Sequence, residues 1–101
     1  MTGIADWLDR HTADGPAALR ARVREHALAA SPAEPLPAAL AVAGRQALDG
    51  VVSHPGDRSV ALDLLAADAL ITLALLAQAQ RAPGELGAFA TSVLLAARTG
   101  S

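Results

Sequence analysis

Between Val60 and Arg81 the chain reads VALDLLAADALITLALLAQAQR, apolar on nearly every side of a helix yet interrupted by Asp63 and Asp68. A helix that is hydrophobic all round is ordinarily buried. A carboxylate carried into such a helix needs a partner, or it takes up a proton. The segment therefore predicts a long central helix over about 58–81 and singles out two acids. At 1.5 Å of rise per residue that helix would be about 35 Å long, more than its neighbours can easily cover.

Punctuation divides the rest of the chain into shorter helices. Ile4, Trp7, Leu8 and His11 share one face of a first helix over 3–11, which TADGP (12–16) breaks. Pro16 suits the first position of a second helix over 16–30, with Leu19, Val23, Ala27 and Ala30 as its stripe. Three prolines in SPAEPLP (31–37) hold that piece extended. A third helix over 37–52 presents Leu40, Ala47, Leu48 and Val51, with Gly44 in its middle either as a point of close helix approach or as a mild defect costing about 0.5–1 kcal/mol against alanine. The turn SHPGDRS (53–59) leads into the long helix, and Pro83-Gly84 ends it. Leu86, Phe89, Ala90, Val93 and Ala97 mark one face of a fifth helix over 84–98. Short connections favour antiparallel neighbours. The expected fold is a single all-α domain over 1–101, an up-and-down bundle of about five helices around the 58–81 segment.

Composition agrees. Hydrophobic residues make up 52% of the chain, mostly alanine and leucine, the strongest helix formers, and no stretch alternates as a half-buried strand would. The net charge of −2 argues against nucleic acid, whose phosphates call for concentrated positive charge. Arg20, Arg22 and Arg24 do not form one stripe, and a solvated helix face is the expected reading. Cysteine is absent, which excludes disulfides and thiolate metal sites. The start MTGIADWLDRH carries acids early and lacks a basic stretch followed by an apolar core, so no leader is read there and a cytoplasmic location is expected. No membrane span is expected either. The uncharged run Ala69–Gln80 is short of the ~20 residues a span needs, and extending it would put Asp68 and Asp63 in lipid at about 2.5–3.5 kcal/mol each.

Few residues are placed for chemistry. Asp63 and Asp68 point about 140° apart on a helix, so one ion cannot readily bind both. Asp68, beside Leu64, Leu65 and Leu75 in angle and one turn before Thr72, is the candidate buried acid. Asp63 lies on a side lined by Ala67, Leu70 and Ala74, and each of the two acids calls for an arginine or for a neighbouring helix to cap, with Arg22, Arg45, Arg58 and Arg81 as candidate partners and Arg58 nearest in sequence. Asp68, Thr72 and Asp63 are thus the only catalytic candidates. His54 and Asp57 are the only metal-ligand candidates, and their sequence is first of all a turn. No H-E-x-x-H, P-loop, G-x-G-x-x-G or G-x-S-x-G occurs, and no cofactor is expected.

The segment LLAADALITLALLAQA (64–79) resembles the helix L-A-G-D-A-L-L-T-x-A-F of all-trans prenyl diphosphate synthases, with Asp68, Leu70 and Thr72 in phase. The D-D-x-x-D metal motifs of that family are absent. The resemblance implies a similar buried helix and carries over no catalytic residue.

The sequence therefore favours a helical interaction or oligomerisation domain, a homo-oligomer or a subunit bound to a protein partner, without catalysis of its own. Leu70, Leu73, Ala74, Leu75, Leu86, Phe89 and Val93 are its expected contact residues. The alternative is a small helical enzyme or a bundle that binds a small apolar ligand around Asp68.

Overall fold

Alanine and leucine are the commonest residues of the longer segments between the prolines, and those segments are helical where described. The computed structural model describes residues 3–29, 35–53 and 58–99. They form α1 (Ile4–His11), α2 (Ala17–Ala29), α3 (Leu36–Ser53), α4 (Arg58–Arg81) and α5 (Leu86–Thr99), and no strand occurs among them. A single 3₁₀ turn, Pro83–Glu85, leads into α5 and displaces its start by two residues from the expected Gly84. The turn signals act as their chemistry dictates. The Thr12 hydroxyl and amide both donate to the Leu8 carbonyl and close α1. The Pro16 carbonyl accepts the first bond of α2, from Arg20 N–H, so the proline stands at the N-cap. Ala82, the residue before Pro83, is forced out of the helical region (φ −152°, ψ 78°), which ends α4.

The bundle is built on α3 and α4, which share by far the most extensive helix contact. α2 packs against both, α1 packs on α2, and α5 packs mainly on α4. The core comprises Trp7 and Leu8 of α1, Val23 and Ala27 of α2, Ala39, Leu40, Ala43 and Ala47 of α3, and Ala66, Ala67, Leu70, Leu73, Ala74 and Ala77 of α4. More than half of these are alanines, so the helices interlock at short range. Gly44 marks a close approach of α3 to α4. A Cβ placed there would lie 2.9 Å from Ile71 Cδ1 and 3.2 Å from the Ala67 carbonyl oxygen.

As its length and apolar girth imply, α4 is not covered on all sides. By length and apolarity Val60–Arg81 could also cross a bilayer. In this fold α2 and α3 cover one side of it only. Leu64, Leu65 and Leu76 are exposed, and Asp68 and Thr72 lie on the same outward stripe. The reason is the number and size of the neighbours. Alanine-rich α2 and α3 fill one groove of α4, and α5 does not close the other. No side chain from Leu86 to Ala96 is buried.

The seam at Gly44 makes a direct prediction. Gly44→Val should destabilise the chain by about 1–3 kcal/mol through overpacking, although valine is the better helix former of the two. Urea unfolding followed by circular dichroism would measure it; an unchanged midpoint would mean that α3 and α4 can separate at no cost.

Candidate functional site

Two places hold polar groups against the apolar frame. The first is a charged clamp between α2 and α4. Arg22 and His26 are one helical turn apart on α2 and therefore face the same way. Both reach Asp63 of α4. Arg22 Nε donates to Asp63 Oδ1, Arg22 Nη2 donates to Oδ2 at 3.1 Å, and His26 Nε2 lies 3.1 Å from Oδ1. Arg22 also meets Glu25 on its own helix at 3.3 Å. The fork on both carboxylate oxygens is the geometry arginine is built for. The Arg22 hydrogen bonds hold the Asp63 carboxyl below its ordinary value of 3.8; partial burial pushes the other way and His26 adds to the lowering. Arg22 in turn binds its own proton more tightly, chiefly through the same hydrogen bonds. No member of this clamp lines either of the two main cavities among the described residues. Its chemistry is the joining of two helices.

The second place is an apolar groove of about 690 Å³ between the α3–α4 hairpin and α5. Val42, Leu48, Leu64, Leu65, Ile71 and Phe89 are among its walls. Two charged side chains stand in it, Arg45 from α3 and Asp68 from α4. Neither has an ion-pair partner among the described residues.

The acids singled out by the sequence thus part company. Asp63 has the arginine it called for, and Arg22 is the one. Asp68 is exposed, contrary to its expected burial, because it lies on the outward stripe of α4. The Thr72 hydroxyl is taken up by the Asp68 backbone carbonyl at 3.0 Å, so it does not serve the Asp68 carboxylate. Of the expected contact residues, Leu70, Leu73 and Ala74 are covered by this chain's own helices and belong to its core. Leu75, Leu86, Phe89 and Val93 are half-buried, and Phe89 and Val93 line the groove. His54 and Asp57 lie outside the described residues, and no metal-binding cluster occurs among those described.

Sequence reading missed a further network. Trp7 Nε1 donates to Gln80 Oε1 at 3.2 Å, and the Gln80 amide nitrogen lies 3.1 Å from His11 Nε2. His11 Nδ1 lies 2.8 Å from the Trp7 carbonyl, and its ring stacks on the indole with centroids 4.1 Å apart. One tautomer, with the proton on Nδ1, satisfies every bond. The Trp7–His11 half was visible as a one-turn spacing. Gln80, distant in sequence, carried no signal.

The clamp sets a pH dependence. A carboxyl whose folded pKa is depressed adds stability above its ordinary value and loses it as pH falls through the folded value. Asp63→Asn should therefore cost about 1.5–3 kcal/mol at neutral pH, the worth of hydrogen bonds to a charged group. The gap to wild type should close as the pH drops below 3.8, towards the depressed folded value. Urea titrations at a series of pH values test this, and a gap that stays constant into acid would refute a charge-based clamp. Against this geometry no protein-family model, curated protein or solved structure matches the chain, and a functional reading rests on the residues themselves.

Proposed function

We propose that this chain is a small helical self-association domain, a homodimer whose subunits meet across the groove between α3, α4 and α5. One observation carries the reading. Of the nine exposed large hydrophobic side chains among the described residues, five (Val42, Leu48, Leu64, Leu65 and Leu94) line that one groove. Scattered exposed leucines need no explanation, but a contiguous apolar surface marks a contact. The charges favour a second copy as the occupant. A two-fold contact brings each patch against itself, so that residue i meets j and j meets i. A groove holding one unpaired arginine and one unpaired aspartate is complementary to its own copy, with Arg45 of each subunit facing Asp68 of the other. The reading involves no catalytic step and no cofactor.

A second reading takes support from the groove's size, which falls in the range of small-molecule sites, about 300–1,000 Å³. An apolar ligand would lie along the leucines with Asp68 or Arg45 at its polar end.

Sedimentation equilibrium separates the two. The wild type should be a dimer at micromolar concentration. Leu65→Asp should be a folded monomer, since Leu65 is exposed and outside the core. Arg45→Asp and Asp68→Arg should each weaken the dimer at least about tenfold, or about 1.4 kcal/mol, and the double reversal should restore it. A wild-type monomer carrying extra mass in native mass spectrometry would favour the ligand. A bare monomer, or a dimer indifferent to all four changes, would refute self-association through this groove.

A further inference from the structure

Apart from the groove, the α1–α2 corner and α4 border a smaller cavity of about 300 Å³. Its polar wall carries Arg10, His11, Thr12, Asp14, Arg20 and Thr72. Most of those donors are committed elsewhere. Thr12 donates to the Leu8 carbonyl, Thr72 to the Asp68 carbonyl, and both His11 nitrogens face Trp7 and Gln80. The two guanidinium groups are not committed. Neither Arg10 nor Arg20 forms an ion pair among the described residues, and Asp14, the one carboxylate on the wall, bridges to neither. Arg20 is also not the solvated side chain expected of its helix face. It is half-buried, its stem lies over Gly15, and a Cβ there would come within 3.4 Å of Arg20 Cγ.

Arg20 Nε is the one buried side-chain nitrogen or oxygen without a hydrogen-bond partner among the described residues. Native proteins rarely leave such a donor unmatched, and an ion or water accounts for many of the exceptions. A guanidinium N–H calls for an acceptor with negative charge, and a second unpaired arginine on the same wall adds to that field. We infer that this cavity is a binding site for a small oxyanion, a phosphoryl or carboxylate group, held by Arg20 and Arg10. The site owes nothing to the groove or to the oligomeric state.

The Nε–H signal of Arg20 in a ¹⁵N-correlated NMR spectrum reads the site directly. Inorganic phosphate and acetate would be titrated separately at constant ionic strength, with chloride as the control. A saturable shift of that signal with phosphate or with acetate, absent with chloride, is the expected result, and the responding anion distinguishes the phosphoryl from the carboxylate source. Arg10→Gln, at an exposed position, should weaken the binding at least fivefold while leaving the fold unchanged by circular dichroism. Arg20→Lys, which keeps the charge but loses the buried Nε–H, should weaken it further. No shift, a shift shared with chloride, or binding unaffected by Arg10→Gln would overturn the assignment and leave water as the partner of Arg20.

Discussion

The close approach of α3 to α4 across Gly44 governs most of this architecture. With no side chain at that position, Ile71 comes nearer to α3 than a Cβ would permit, and the Ala67 carbonyl nearer than most Cβ contacts allow. Ala39, Ala43 and Ala47 on one helix and Ala66, Ala67, Ala74 and Ala77 on the other continue the short-range seam. Such a seam packs densely but removes little apolar area per residue from water, about 0.8 kcal/mol per buried CH₂ group. Beyond Leu40, Leu70 and Leu73, it also leaves little room for larger side chains. The leucines that an alanine-lined seam excludes stay outside, and Leu64, Leu65 and Leu76 are found there.

Small side chains also specify alignment weakly, since a helix can slide along another without a large loss of fit. Polar contacts supply what the seam lacks. The Arg22–Asp63–His26 clamp fixes α2 against the start of α4, and the Trp7–Gln80–His11 network fixes α1 against its end. Ionic contacts of this sort are better attested as setters of register than as sources of stability. α5 has no such tie among its described side-chain hydrogen bonds. Thr91 and Ser92 donate back to carbonyls of their own helix. A helix held only by half-buried apolar contacts leaves an open groove beside it, and the groove is there.

Much of this was legible in the chain. Helix boundaries fall within two residues of those the prolines, glycines and apolar spacing imply, because caps and breakers act locally. Gly44 as a point of close approach, and an arginine partner for Asp63, were also readable. The fate of Asp68 was not. Its surroundings on the helix are as apolar as those of Asp63, and only the number of neighbouring helices decides which acid meets a partner. The same limit explains why Leu70, Leu73 and Ala74 resemble Leu64, Leu65 and Leu76 in sequence yet lie in the core. Periodicity reports which residues share a face, but in a helix apolar all round every face looks alike.

The charges divide along a physical line. Arg22, Arg24 and His26 find carboxylates within the chain. Arg81 and Glu85 lie in water, where an unpaired charge costs little. Arg45 and Asp68 are intermediate, since they are hydrated as long as the groove is open. Closing the groove on a neutral surface would desolvate both without compensation, at a cost of several kcal/mol per ion. Closing it on a surface of opposite pattern returns a hydrogen-bonded pair for each charge. In the proposed self-association the apolar walls would supply the drive, and the two charges would restrict which partner can satisfy it. Arg20 differs in kind, because its Nε is buried and no group of the chain among the described residues accepts its hydrogen bond. A partner for Arg45 or Asp68 is a matter of selectivity, whereas a partner for Arg20 would satisfy a buried donor that the chain itself does not.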